Sequence, residues 1–212
     1  MKAVDAVEPV WHPETDPARL LALSDGIFSV AMTLAVIQVM PPDLAARLRA
    51  DGTAKLLVEL IPEFAAIATT FFIVGIYWIT HHRIFSYIRR TDRPFLFLNL
   101  FFLLGVTLMP FFVLISSVHE SDAGGIVAYA VYVAVLGFLL DWIWGYASKR
   151  HRLVDPHLDA RVIRYNHYRS WITSFIFLAS CPVAFYNPGL ARFVWILVFF
   201  NGRLASRLAS RS

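Results

Sequence analysis

Residues 19–40, RLLALSDGIFSVAMTLAVIQVM, form one long apolar run that carries Arg19, Ser24, Asp25, Ser29, Thr33 and Gln38. About 20 apolar residues at ~1.5 Å of helical rise each match the ~30 Å hydrocarbon core of a bilayer. A run of this kind predicts a transmembrane helix. An ionisable side chain inside such a span is expensive and marks a site by default, and Asp25 lies about two turns in. It needs a partner or water. Val30, Leu34 and Ile37 are spaced i, i+4 and i+7, which places them on one helix face, with Thr33 at its border. We read this helix as the wall of a pathway across the membrane, and the remaining chain as its support.

The rest of the sequence agrees with a bilayer environment. The 212 residues are 58% hydrophobic and only 16% charged, with a mean hydropathy of +0.61. Soluble domains carry about 25% charged residues. The fold class expected is an all-α polytopic membrane protein of six transmembrane helices per subunit, with helix 1 lining the pore. Residues 1–15 read as a cytoplasmic tail of mixed charge with no apolar core of a cleavable signal. Residues 16–204 read as the six-helix domain and 205–212 as a basic tail. Asp16-Pro17 is a cap and first-turn signal for helix 1, and Pro41-Pro42 ends it. Asp43 and Gly52 bracket a short connecting helix. Further spans are expected near 55–88 with Pro62 at the start of the buried part, 94–118 with a kink at Pro110, 126–146, 168–185 and 190–202. Asp155-Pro156 is a start signal for the fifth helix. Asn187-Pro188-Gly189 reads as a tight turn, and the stretch from His119 to Gly125 as a short loop.

Charge placement tests this count. With six spans and the N-terminus inside, fifteen of the 19 Lys and Arg residues fall in cytoplasmic segments. That asymmetry supports both termini inside, at the cell membrane. It also removes nucleic acid as a partner, since the basic residues follow an interface rather than a groove. Cys181, the single cysteine, has no partner for an internal disulfide.

The same topology places polar residues of three consecutive helices at one depth. Arg19, Ser24 and Asp25 enter on helix 1, His81, His82 and Arg83 leave on helix 2, and Asn99 returns on helix 3. Arg19 and Asp25 are six residues apart and do not share a face, so each is expected to pair with a neighbouring helix. A polar cluster of this kind serves helix packing. A metal or proton-relay site on Asp25, His81 and His82 is a competing reading, weakened because adjacent histidines point ~100° apart on a helix. A hydrolase with Ser24, His81 and Asp25 fails on similar grounds. Ser24 and Asp25 are neighbours on one helix, and neither a nucleophile elbow nor HExxH is present. A secondary transporter or a proton-coupled protein using Asp25 and His81 stays open, although the chain has no evident internal repeat. So does a purely structural membrane protein. Asp141 is expected to meet Lys149 or Arg150, or to lie in a subunit contact. Trp142, Trp144 and Tyr146 are read as an interfacial belt. Arg203, Arg207 and Arg211 share one face of a terminal helix facing anionic headgroups.

The segment from Arg19 through Ser24, Asp25 and Phe28 resembles the R-x-x-x-F-S-D signature of the lysosomal potassium channel family, transmembrane protein 175, in its prokaryotic branch. Leu23 stands where the family has Phe. The stretch from Trp78 through His81, His82 and Arg83 to Phe85 is similar to that family's W-x-x-H-H-R-x-F, and Asn99 and Pro110-Phe111 also match. The likeness covers residues 17–115. It implies a homotetramer in the lipid bilayer with helix 1 of each subunit around a central cation pathway. By the same resemblance Val30, Leu34 and Ile37 form the constricting rings. Thr33, with Ser29, contributes to selectivity for potassium, and Arg19, Ser24, Asp25, His81 and Asn99 tether the pore helix. The implied chemistry is conduction, not an enzyme reaction, with potassium as permeant ion and no cofactor.

Overall fold

The computed structural model describes residues 17–39, 60–118 and 123–211, with isolated positions 46, 49 and 58. The tail at 1–15, the cap at Asp16, the Pro41-Pro42 stop, the connecting helix between Asp43 and Gly52 and the turn at 119–122 lie outside these residues. The described chain is helical: α1 (Pro17–Val39), α2 (Ile61–Ser86), α3 (Arg93–Val118), α4 (Ala123–Ser148), a 3-10 turn (Lys149–His151), α5 (Ala160–Tyr186), α6 (Pro188–Val194), a 3-10 segment (Trp195–Phe200) and α7 (Asn201–Arg211). Pro62 falls in the first turn of α2, where its missing N–H costs nothing. Helix α3 runs through Pro110 as one element.

Two starts differ from the sequence reading. Helix α5 is capped by Asp159, whose carboxylate accepts from Arg161 N at 2.7 Å. Asp155 instead closes a turn by accepting from His157 N at 2.8 Å. The Asn187 signal is a helix cap rather than a tight turn: its Oδ1 accepts from Leu190 N at 3.0 Å, with Pro188 in the first turn of α6. The sixth expected span is likewise not one apolar helix ending at Gly202. It is α6, a 3-10 segment and α7 in succession.

Among the described residues, three helices are long and apolar enough to cross a membrane: those over Pro17–Ile37, Arg93–Ser116 and Ala123–His151. Helix α2 carries His81, His82 and Arg83 in its last two turns, and α5 carries Arg161, Arg164 and Arg169 in its first three.

The helices succeed one another in space. Helix α1 packs on α2 and α3, α3 on α4, α4 on α5, and α5 on α6 and α7. Three contacts gather one end of the bundle. Ile88 bridges Val154, Arg90 Nε donates to Arg152 O at 3.1 Å, and Arg164 Nη2 donates to Ala209 O at 3.3 Å. At the other end Arg192 Nη2 donates to Ser116 O at 3.1 Å, joining α6 to the end of α3. Close approach depends on small residues, as in membrane bundles generally. At the α2–α4–α5 crossing Tyr77 Oη donates to Val133 O at 2.6 Å beside Gly137. A methyl group on Gly137 would meet Ser174 Oγ. Tyr132 Oη donates to Gly105 O across the α3–α4 contact. Asn201 Nδ2 donates to Thr173 Oγ1 at 2.6 Å and Trp195 Nε1 to Ser180 Oγ at 2.9 Å, which fastens the last rod to α5.

Candidate functional site: the polar cluster behind α1 and the face in front of it

Helix α1 has two unlike faces. Ser24, Phe28, Ala31 and Ala35 are buried against α2 and α3. Leu23, Val30, Leu34 and Ile37 are bare, Val30 being 57% exposed, Leu34 44% and Ile37 60%. The alanines let α1 lie close on its neighbours, so the larger apolar side chains are left on the opposite side. Thr33 is exposed beside this stripe. Its Oγ1 donates back to Ser29 O at 3.0 Å and Val30 O at 2.9 Å. The hydroxyl hydrogen is thereby spent inside the helix, and the oxygen lone pairs are what Thr33 presents outward. Ser29 turns to the flank. It lines a cavity behind α1 together with Asp25, Phe28 and Met32, rather than the apolar stripe.

Three of the five sequence-selected tethering residues meet. His81 Nε2 lies 3.0 Å from Asn99 Oδ1, and Asn99 Nδ2 donates to Ser24 Oγ at 3.3 Å. Ser24 Oγ in turn donates to Leu20 O at 2.9 Å. All three side chains are fully buried. The chain of donors fixes the roles. Asn99 gives its N–H to Ser24, so its carbonyl oxygen must accept, and His81 Nε2 carries the hydrogen. Nδ1 of His81 has no partner. The imidazole is stacked on Phe85 with ring centres 4.0 Å apart and on Phe102 at 5.5 Å, with Phe28 at 5.6 Å. An aromatic cage with one amide contact orients a ring and supplies no second metal ligand.

Asp25 is held separately. Its Oδ1 accepts from Trp78 Nε1 at 2.8 Å, across α1 and α2. Arg19 is exposed near the start of α1, apart from the Ser24–Asn99–His81 chain. Sequence reasoning missed Trp78 as the partner of Asp25. The signal was available, because an indole N–H on a helix flanking a half-buried carboxylate needs an acceptor.

Two further groups, Asp141 and Trp144, take partners within the chain that the sequence reading did not name. Asp141 meets neither Lys149 nor Arg150. It accepts from Trp171 Nε1 at 2.8 Å and pairs with His167 Nδ1 at 2.6 Å, because α5 packs along α4 and brings its first turns to that depth. Of the expected aromatic belt, Trp142 is 61% exposed, whereas Trp144 is fully buried with its Nε1 donating to Ile163 O at 3.0 Å. Trp144 is a packing residue because α4 buries that face under α5. Tyr146 Oη donates to Asp92 Oδ2 at 2.9 Å.

Comparison with known proteins identifies the family. Residues 19–110 match the model of the family described as endosomal/lysosomal potassium channel TMEM175. That range contains the Ser24–Asn99–His81 chain and the bare face of α1. A potassium channel of Streptomyces collinus is 31% identical over 182 residues, covering 82% of this chain and 85% of the relative. The human endosomal/lysosomal proton channel TMEM175 is 26% identical over 141 residues, which is 66% of this chain and 28% of the human protein. In fold, the chain is similar to the crystal structure of a lysosomal potassium-selective TMEM175 homologue from Chamaesiphon minutus. The TM-score is 0.71 at 24% identity, over 89% of this chain and 97% of that one. The family is one of ion channels and not of enzymes, and its members are membrane proteins. With the signature on α1, its partners on α2 and α3 and a relative alike over most of both chains, this protein belongs to the TMEM175 potassium channel family.

Proposed function

We propose that the chain is the subunit of a potassium-preferring cation channel. It assembles as a homotetramer in the cell membrane, with six spans per subunit, both termini cytoplasmic, and α1 of each copy around a central pathway. Val30, Leu34 and Ile37 form the constricting rings, and Thr33, with Ser29 on its flank, biases the pathway toward potassium. Ser24, Asp25, His81 and Asn99 hold α1 in register with α2 and α3. The observation that carries this reading is the two-faced α1: one side locked by a buried polar chain, the other a bare apolar stripe edged by a hydroxyl.

A ring of four apolar side chains offers no oxygen to replace an ion's hydration shell. It gates by dewetting and conducts when it widens. Selectivity then falls to weaker contacts, and four outward Thr33 oxygens supply them. A modest preference for potassium over sodium follows.

The test is cation flux into proteoliposomes containing the full chain, with potassium and sodium compared. Wild type is expected to favour potassium, Val30→Trp to block flux and Thr33→Val to lose the preference. Absence of flux in wild type and in Val30→Ala, from folded protein, counts against the reading. Flux in Val30→Ala alone identifies a closed gate.

A second reading takes support from the human relative, named a proton channel. Here the Asp25 and His81 group would carry protons. The measurement that separates the two is acid-driven flux in Asp25→Asn: the proton reading requires its loss with potassium flux retained.

A further inference from the structure

Behind α1 lies a cavity of about 590 Å³, walled by Phe71, Phe72 and Ile79 of α2, Val198 and Phe199 of the 3-10 segment, and Arg169 of α5. Phe72 and Phe199 touch edge to face across it, with ring centres 6.0 Å apart. Its lining is mostly hydrocarbon and aromatic; the polar side chains on it are Asp25 and Ser29 of α1, Trp78 of α2 and Arg169 of α5.

Arg169 brings guanidinium donors to the wall, and Tyr165 joins it to Arg83. Arg83 Nη1 and Arg169 Nη1 both donate to the one oxygen of Tyr165, at 3.5 and 3.1 Å. Arg83 also lies over the Tyr165 ring, 5.7 Å from its centre. The Nε atoms of Arg169 and of neighbouring Arg164 are buried without a partner. Among the described residues none of these three arginines is in an ion pair; the carboxylate contacts of basic side chains found there are Arg152–Asp92 and the His167–Asp141 hydrogen bond. Each guanidinium carries five N–H donors, and leaving such charge half-buried and unpaired is costly. Asp25, across the cavity on α1, has Oδ1 committed to Trp78.

We infer that this cavity is a binding site for an anionic phospholipid, its phosphate seated between Arg83 and Arg169 beside Tyr165 and one acyl chain laid against Phe71, Phe72, Ile79 and Phe199. Phosphate oxygens suit two converging guanidinium forks, which bind them in pairs. An apolar void of this size takes hydrocarbon, which a free anion does not provide. Position agrees with headgroup depth, since Arg83 is in the last turn of α2. The exposed Arg203 and Arg207 of α7 continue the basic surface at the same end. Two arginines at about fivefold each give an expected preference for an anionic over a zwitterionic headgroup of at least about tenfold. The inference does not rest on the channel reading, because binding is measured without flux.

The experiment uses the full chain in detergent with phosphatidylglycerol or phosphatidylcholine, read by native mass spectrometry. Wild type is expected to retain phosphatidylglycerol at least about tenfold better. Arg169→Gln and Arg83→Gln should each lower that preference about fivefold, Arg169→Lys should keep most of it, and Asp25→Asn should raise it by removing the like charge. Equal retention of the two lipids overturns the proposal. So does inorganic phosphate alone stabilising the protein as much as phosphatidylglycerol does, since the source is then a free anion. The second measurement needs no arginine variant. A fluorophore on Ile79→Cys, in a Cys181→Ser background, should be quenched by phosphatidylglycerol with brominated chains and much less by brominated phosphatidylcholine. Absence of quenching by either means that the cavity holds no lipid and is filled otherwise, for example by a second copy, which also overturns the proposal.

Discussion

His81 Nε2 lies 3.0 Å from Asn99 Oδ1, and this contact between α2 and α3 is the middle of a chain that ends on Ser24 of α1. Its three members are fully buried, so each link has no water to replace it. The first helix is therefore positioned by hydrogen bonds on its packed side, and its opposite side is free to carry Val30, Leu34 and Ile37.

Removing the middle of that chain strands both ends. Asn99→Ala should cost about 1–3 kcal/mol, since a buried donor on His81 and the Ser24 hydroxyl both lose a partner. A double-mutant cycle with His81→Ala should return a coupling near 0.6 kcal/mol and below about 1.7, the range for hydrogen bonds between membrane helices. Thermal unfolding in detergent measures both. Additive effects would mean that the two side chains act independently.

The Asp25–Trp78 bond should behave as an acceptor requirement more than a charge requirement. Asp25→Asn keeps an oxygen for the indole and is expected to unfold within a few degrees of wild type, whereas Asp25→Leu leaves Trp78 Nε1 unpaired. Trp78→Phe should remove most of the difference between these two variants. Unfolding midpoints of the four combinations decide the matter.

Gly137 is required by sterics. A Cβ there meets Ser174 Oγ and stands 3.2 Å from Tyr77 Oη. Gly137→Ala should destabilise by about 1–3 kcal/mol through overpacking. Adding Ser174→Ala should recover part of the loss, while Ser174→Ala placed on wild type should not stabilise. No recovery in the double variant would show that the crossing is not limited by this pair.

Asp92 joins two loops. It caps α3 by accepting from Phe95 N at 3.0 Å, and its other oxygen takes Tyr146 Oη at 2.9 Å and Arg152 Nη2 at 3.0 Å. Asp92→Ala should cost about 1–2 kcal/mol from the cap alone. It should also speed hydrogen exchange at Arg89, whose N–H is bonded to Leu153 O at 2.9 Å. Exchange that accelerates only within α3 would confine the role of Asp92 to capping.

Under the channel reading, Val30 sets the width of its ring. Val30→Leu is expected to lower single-channel conductance relative to wild type, because the added methylene narrows an apolar constriction that conducts only when wet. A conductance in wild type no higher than in Val30→Leu would contradict this.

Much of this molecule was legible in one dimension. The apolar runs, the start of α2 at Pro62 and the extent of α3 follow from hydrophobicity and proline chemistry, which act locally. The gathering of Ser24, His81 and Asn99 at one depth could be anticipated because consecutive membrane helices must alternate in direction. Partner choice was less accessible. That Asp25 takes Trp78, that Asp141 takes His167 and Trp171, and that Trp144 is buried while Trp142 is exposed depend on how each rod rotates about its axis. The start of α5 at Asp159, and the sixth rod dividing into α6, a 3-10 segment and α7, were equally hidden, because several cap signals compete and packing on α5 selects among them. Sequence by itself determined that this chain buries helices in a bilayer and which polar residues must find partners there. Only the tertiary structure decided which partners they find, and that Arg83 and Arg169 converge on one tyrosine oxygen beside an apolar cavity, because rotation and spacing between helices are set by side-chain packing across the whole bundle.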